Sequence, residues 1–593
     1  MNAETIRAIL RGLGENKLPS RKADLIDRLQ GIWIDKPQRL IDLLSEPERL
    51  LLAECVQSGS HFPNIDQLNS KYGFDYRMPS HGSYGGEQVI HCFLSYERYC
   101  GYELLTDVED RLARLLPAPA DLEIESLEDL PDTAVWSFPR WSGENDVVER
   151  PMRVYESERI APMECRRMLQ MAGAGTLRVS DKTGNPTAAT VRKVGEALCA
   201  PDMDIALPKD CADRPWDERD VDPGPVRAFA WPVLLQQCGW AKPKGGKLQL
   251  TKAGKALRDD FTFERYAEGV SCLISSSTRD ELRRVKVIKG QNGRRAARGR
   301  RDPCDRKQAI KACLCALPRG EWVSLEEANR AIYALDEDGR AYAEATFIYL
   351  AEMQYGQLHG YEKEIGRIYF RQLLGDALAT LGIVDVGYTW PHYIQPELDD
   401  AWGIDDECFC SVYDGIKYLR VTPLGRYCLG IDSQYEPQET QDQSLFKVLP
   451  NLDIVVVDSA SFSVADEAVL DRFAKRKSDL VWKMDKKSMI SALEVGESAD
   501  DALGVLRNFS QNEIPDNVVK FICDLAERAD AVKSCRDAVV VDFIDEATAQ
   551  VVEGDTTAAK SVIAREGKSV VVLKSKVKGF KTALRKMGIV LKL

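Results

Sequence analysis

The stretch "LRVTPLGRYCLG", Leu419 to Gly430, has a near-copy upstream in "LQLTKAGKALRD", Leu248 to Asp259. Each reads apolar, polar, apolar, Thr, two residues, Gly and a basic residue, with the threonines at Thr251 and Thr422. "AWPVLLQQCGWAKPKGGKLQLT" leads into the first copy. There Pro232 suits the first turn of a helix and Gly239 its end, and Gly245-Gly246 predicts a hairpin turn. "YFRQLLGDALATLGIVDVGY" precedes the second copy. Leu373, Leu374, Leu378 and Leu381 form an apolar helical face, Gly382 a helix end, and Asp414-Gly415 a hairpin signal. Both copies predict helix, glycine, strand, turn, strand, then T-x-x-G-[KR]. The threonine leaves the last strand and caps the segment after it, and the glycine permits close approach of backbone.

That order is the helix-and-wing half of a winged-helix domain, used twice. A winged helix that reads DNA inserts the helix before the wing into the major groove, so that helix needs Arg, Lys, Asn or Gln. The first copy offers Arg227, Gln236 and Gln237; the second offers Arg371 and little else between Tyr369 and Leu381. Both helices read as buried, and the wings as packing or protein-docking units.

The 593 residues exceed one core and predict about three to five domains. The apolar and charged fractions, 44% and 29%, are those of a globular protein. Apolar runs such as "IVVV", Ile454 to Val457, are too short to span a bilayer, and "MNAETIRAIL" does not read as a secretory signal. Sixteen scattered cysteines without a paired framework fit a reducing cytoplasm. The net charge of −13 excludes general attraction to nucleic acid. Binding must come from a local basic patch, because screening confines charge effects to about 10 Å.

"LRRVKVIKGQNGRRAARGRRDPCDRK" supplies such a patch, with eleven Lys or Arg between Arg283 and Lys307 against two Asp. Its glycines and lack of aromatics suit phosphate contact rather than base reading. The candidate contacts are Arg283, Arg284, Lys286, Lys289, Arg294, Arg295, Arg298, Arg300, Arg301 and Lys307. The alternative is a solvated loop, or one docked on the chain's own acidic "ELDDAWGIDDE", Glu397 to Glu407. The lysine-rich end supplies a second basic face in Lys574, Lys576, Lys578, Lys581, Arg585 and Lys586.

At the other end, Ile6, Ile9, Leu10 and Leu13 make one apolar stripe that Gly14 ends. Ser20 is placed to cap a second helix carrying Leu25, Ile26 and Leu29, with Arg21, Lys22 and Arg28 on its polar side. Residues 3–30 resemble a SAP-type helix-turn-helix. His81, His91 and Cys92 lack the paired C-x-x-C of a zinc site, so no metal or other cofactor is expected. The C-x-C pairs Cys313/Cys315 and Cys408/Cys410 suit strands or buried thiols.

The last 149 residues carry a wider resemblance. "VLPNLDIVVV" (Val448 to Val457), "VWKMDKKSMISALEVGESADDALGVL" (Val481 to Leu506), "IPDNV" (Ile514 to Val518) and "LKSKVKGFKTALRKMGI" (Leu573 to Ile589) resemble the XPB N-terminal-like, helicase-associated domain of bacterial proteins. "GTLRVSDKTGNPTAATVRKV" (Gly175 to Val194) and "VKVIKGQNG…DPCDRKQAI" extend the likeness upstream. The layout is similar to the TFIIH subunit that clasps XPB and stimulates its ATPase. The motor is missing: a phosphate loop needs G-x-x-x-x-G-K-[ST], and in front of the "GKS" at Gly567 to Ser569 the first glycine position holds Val562. No DEAD-type box follows a strand.

The expected fold is multi-domain α+β, mainly helical, with winged-helix modules and a C-terminal α/β XPB N-terminal-like domain. Its segments are a helical region at 1–116, a winged-helix-containing domain at 117–270, a basic flexible segment at 271–302, a second winged-helix domain at 303–430, a linker at 431–444 and the helicase-associated domain at 445–593. The expected role is a non-enzymatic, DNA-binding accessory subunit in the cytoplasm that docks and regulates a helicase or other ATPase, with no membrane and no small-molecule substrate. The alternative is an assembly scaffold that does not touch nucleic acid.

Overall fold

A computed structural model of the chain describes residues 1–79, 88–97, 101–139, 145–208, 223–285, 287–289, 302–336, 349–352, 356–358, 361–392, 394, 408–437, 445–457, 462, 464–494, 498–529 and 537–591. The architecture is multi-domain α+β with small sheets. The chain forms two compact units, 1–446 with 456–472 and 447–455 with 473–593.

The first unit opens with α1 (Ala3–Gly12), capped by the Asn2 side chain, which accepts from the Thr5 amide at 2.9 Å. Ile6, Ile9, Leu10 and Leu13 are buried, as their spacing predicts. α2 (Lys22–Asp35) buries Leu25, Leu29 and Ile32 but leaves Ile26 36% exposed. Ser20 does not cap it. Arg21 holds the cap position, because the Ser20 carbonyl is tied back to α1, accepting from Arg7 at 3.0 Å. α3 (Glu46–Ser58), α4 (Ile65–Tyr72), the hairpin of β1 (Leu94–Glu97) and β2 (Gly101–Leu104), and α5 (Thr106–Leu115) complete one apolar cluster. A second hairpin, β3 (Thr133–Pro139) with β4 (Asn145–Pro151), precedes β5 (Arg153–Tyr155).

Two matching sets of elements come next. The first is α6 (Ile160–Gly173), α7 (Ala188–Ala197), α8 (Arg227–Gln237), β6 (Ala241–Lys244), β7 (Lys247–Leu250) and α9 (Lys252–Asp259). α10 (Phe263–Ile274) and β8 (Ile288–Lys289) lead to the second. It comprises α11 (Pro303–Ala316), β9 (Val323–Ser324), α12 (Leu325–Ala334), β10 (Tyr349–Glu352), β11 (Gly356–Leu358), α13 (Glu362–Leu373), a π-helical turn (Leu374–Ala379), β12 (Val384–Tyr388), β13 (Ile416–Val421) and α14 (Pro423–Cys428). Apart from β10–β11, which pairs with β8, each set runs helix, short extended segment, two helices, hairpin, short helix. In each, the extended segment pairs with the last hairpin strand: Arg178 with Lys247, and Val323 with Leu419. The repeat therefore reaches well beyond the twelve residues that announce it.

The T-x-x-G stretch is the same clamp in both sets. The Thr251 hydroxyl donates to the Gly239 carbonyl at 2.7 Å and accepts from the Gly254 amide at 3.1 Å. The Thr422 hydroxyl donates to the Gly382 carbonyl at 2.6 Å and accepts from the Gly425 amide at 2.8 Å. Gly239 and Gly382 end the preceding helices at φ of 73° and 72°, in the left-handed region where glycine is unstrained. A Cβ on Gly254 would lie 1.9 Å from the Trp240 carbonyl oxygen, and one on Gly425 2.0 Å from that of Ile383. One hydroxyl thus fastens the start of a short helix to the end of a long one.

The structure corrects further expectations. Pro232 lies inside α8, not in its first turn. The helix begins earlier because the Asp202 carboxylate, distant in sequence, accepts from the amides of Val226 and Arg227, each at 3.0 Å. Asp414-Gly415 is not the hairpin tip. It makes a turn at the foot of β13, where Asp414 accepts from the Cys410 and Ser411 amides at 2.8 and 3.0 Å. Cys313 and Cys315 lie on the helix α11 and not on a strand, with Cys313 a buried thiol, the other reading of the pair. The two sets share a single apolar cluster, and β5, β12, β13 and β9 form one sheet through it. The first part of the polar 431–444 segment packs on this core, with Tyr435 4.8 Å from Phe263 between ring centres.

In the second unit, β14 (Phe446–Val448), β15 (Asp453–Val456), β17 (Val481–Met484) and β16 (Ala474–Ser478) lie side by side in that order. Ile454, Trp482 and Met484 are buried, as are Met489, Leu506, Val518 and Ile522 of α15 (Lys486–Glu494), α16 (Ala499–Phe509) and α17 (Asp516–Ala529). A second antiparallel sheet, β18 (Ala538–Asp542), β20 (Ser569–Leu573) and β19 (Val562–Glu566), packs with α18 (Glu546–Gly554) and α19 (Val577–Lys586) around Phe580 and Leu584.

Candidate nucleic-acid interface

Of the side chains that sequence offered as base readers, Arg227, Gln237 and Arg371 are buried and Gln236 is half-buried. Arg227 and Glu164 are fully buried and paired at 2.6 Å. Glu164 also accepts from Trp231 Nε1 at 2.6 Å and the Cys199 amide at 3.0 Å. Burial opposes the charge on Arg227, but Glu164, Tyr155 and Asp202 outweigh it and raise the guanidinium pKa. Gln236 donates to the Gly184 carbonyl at 2.8 Å and Gln237 to Glu281 at 2.7 Å. Arg371, 5% exposed, lies 3.7 Å from Asp414. Neither helix before a hairpin is free to enter a groove.

The basic segment has a built neck. Where it begins, Asp280 and Glu281 are buried; where it ends, α11 starts. Asp280 pairs with Arg306 at 2.8 Å, both side chains 1% exposed, and Glu281 pairs with Lys307 at 3.2 Å. Arg284 pairs with Asp376, which also accepts from Tyr413 and Gln372, and covers the Phe229 ring at 4.3 Å. Asp376 sits in the π-helical turn, where Gly375 leaves room for the Tyr413 ring. π-turns in helices are frequent at functional positions.

This geometry sorts the candidates. Lys307 is wholly buried on Glu281 and the Ser276 carbonyl and turns away from solvent: a local count of basic residues cannot show which of them turn inward. Arg284 is half-buried and holds the neck. Arg283 and Lys289 are exposed. Lys286, Arg294, Arg295, Arg298, Arg300 and Arg301 lie outside the described residues, as do Glu397 to Glu407.

The second basic face is laid out along α19. Phe580, Ala583 and Leu584 are buried beneath it, while Lys578, Arg585 and Lys586 are exposed and Lys581 half-exposed on the other side. Just before it, Lys574 lies 3.4 Å from Asp537 and Lys576 donates to the Lys560 carbonyl at 2.8 Å. In the N-terminal region, Arg28 is engaged by Glu15 at 2.6 Å, and that hydrogen bond holds the Glu15 carboxyl below its usual range. The "GKS" at Gly567 closes the β19–β20 hairpin, with Glu566 opposite Ser569. A phosphate loop opens a helix; this segment joins two strands.

Among the described residues no group of His, Cys, Asp and Glu is placed to hold a metal ion, and the cysteines are free thiols. His91 is buried, with Nδ1 accepting from the Gln88 amide at 3.0 Å and Nε2 3.3 Å from the Tyr102 hydroxyl. Burial pushes the neighbouring Cys92 thiol up to about 12. No described helix is long and apolar enough to cross a membrane.

Compared with known families, residues 448–566 match the helicase conserved C-terminal domain. The match begins at the end of β14 and stops at the end of β19, leaving β20 and α19 outside it. No curated protein matches the chain.

Proposed function

We propose that this chain is a non-enzymatic accessory subunit that holds nucleic acid and docks and regulates a helicase or other ATPase, in a bacterial defence or repair complex. The observation that carries this reading is a helicase C-terminal-type domain in a chain whose "GKS" closes a hairpin. The finer resemblance to the XPB N-terminal-like domain assigns the second unit to docking. The repeated helix-and-hairpin order supports two winged-helix modules, and the inward-facing Arg227 and Arg371 support their use in packing or protein contact. The basic segment, with Arg283 and Lys289 exposed beside its neck, is the phosphate contact. Free thiols and the sequence pattern support a cytoplasmic setting.

A scaffold that does not touch nucleic acid is the second reading, favoured by the burial of Lys307. A DNA-binding salt series separates the two. The intact chain binds with a steep salt dependence. Changing Arg294, Arg295, Arg298, Arg300 and Arg301 to Ala makes the slope shallower by about 0.7–0.9 per lost phosphate contact. Absence of binding at low salt favours the scaffold. ATP turnover by the purified chain alone contradicts the accessory role.

A further inference from the structure

The four-stranded sheet of the second unit has a charged face to which the proposed function gives no role. Side chains alternate along a strand. Ile454, Val456, Trp482 and Met484 are buried on one face, which places Asp453, Val455, Val481 and Lys483 on the other. Lys447, exposed between the buried Phe446 and Val448, shares that outer face. In register, Lys475 on the edge strand stands opposite Lys483, which stands opposite Asp453. Like charges directly opposite on antiparallel strands are destabilising.

The local carboxylates offset this pair only in part: Asp453 stands opposite Lys483, and Asp485 attracts Lys475. Asp453 is bonded to Lys477 at 3.2 Å, and Asp479 lies 3.5 Å from Arg476, whose guanidinium covers the Trp482 ring. Lys447, Lys475 and Lys483 take part in neither ion pair. Between Ala474 and Lys487 six residues are Lys or Arg and two are Asp, in a chain of net charge −13. A face on which cations outnumber carboxylates suits an anion.

We propose that this sheet face binds the phosphodiester backbone of a nucleic acid, with Lys475 and Lys483 as central contacts and Lys447 and Lys477 flanking them. The inference rests on the reading of the chain as a nucleic-acid-binding subunit and adds a site separate from the basic segment. Lys475 and Lys477 form a short row on the edge strand, with a register shift at Lys477, whose ammonium reaches Asp453. An evenly charged polymer satisfies such a row in any register, whereas an acidic protein segment must place carboxylates to match. Lysine ammoniums are point charges, suited to positioning a backbone and not to reading bases.

The test compares three full-length proteins: the intact chain, the five-arginine variant of the basic segment, and a sheet variant carrying Lys447→Ala, Lys475→Ala and Lys483→Ala. Each is titrated with a labelled mixed-sequence oligonucleotide, single-stranded and duplex, across a salt series. The sheet variant is expected to bind about tenfold or more weakly at low salt, with a slope shallower by about 2, while the arginine variant keeps the sheet's share. Lys475→Thr alone is expected to weaken binding while keeping or raising the melting temperature, a split that a merely structural lysine does not give. If the intact chain binds but the sheet variant matches it, the sheet site is overturned and the broader reading stands. If the intact chain does not bind, both fall. Loss of polyglutamate binding in the sheet variant with oligonucleotide binding unchanged overturns the phosphate assignment in favour of an acidic protein partner.

Discussion

The two T-x-x-G clamps make the same bonds in different surroundings. Around Thr251 the hairpin is a two-stranded ribbon turning through Gly245 and Gly246, and the threonine is half-buried. Around Thr422 the hairpin is the centre of a four-stranded sheet, and the threonine is 1% exposed. Their helices are also anchored differently. α8 is held by Glu164 on Arg227, whereas the π-turn after α13 is held by Arg284 from the neck of the basic segment. The comparison teaches that the clamp is a joint, independent of where the hairpin lies. What differs between the copies is the sheet around the joint, the burial of its threonine and the buried charge beside it.

Three sets of substitutions test this, each read by urea unfolding of the full chain. Glu164→Ala removes the nearer counter-charge of the buried Arg227, leaving Asp202 at 3.5 Å, and is expected to cost about 3 kcal/mol; replacing Glu164 and Arg227 together with Leu and Met should restore much of it. If Glu164→Ala is nearly neutral, the first copy has no charged anchor and the contrast collapses. Gly254→Ala and Gly425→Ala are expected to cost about 2–3 kcal/mol each, because both drive a methyl into a backbone carbonyl at nearly equal distance. A gap of more than about 1 kcal/mol between them breaks the equivalence of the joints. Thr251→Val and Thr422→Val remove the cap and the hydroxyl donor, at about 1 and about 2 kcal/mol respectively, the buried site losing more because water cannot replace the bond. Equal losses would show that burial does not separate the copies.

Much of the joint was legible. The position of the threonine, the glycine three residues on and the glycine ending the upstream helix are local signals, and each marks the feature expected of it. The start of α8 was not, because its cap is Asp202, 24 residues before Val226. The basic segment was legible as a charge density but not as a neck. Lys307 and Arg306 look like two more cations in a run, and only the fold brings Glu281 and Asp280 against them. The sheet face of the second unit was missed for the opposite reason. "AKRKSDLVWKM" is a weaker charge run, and its meaning lies in the strand register that sets Lys475 across from Lys483.

The sheet that joins the two sets also fixes an order of events during synthesis. Ser157, just after β5, gives its amide to Asp385 in β12 at 2.8 Å across a separation of 228 residues. At about 5–20 residues per second, β5 leaves the ribosome roughly 10–50 s before its partner strand exists. For that interval the nascent chain carries an unpaired strand edge and half of an apolar cluster, exposed to other chains. The sheet that carries the second clamp can therefore close only late in synthesis, after residues more than two hundred positions apart have both emerged.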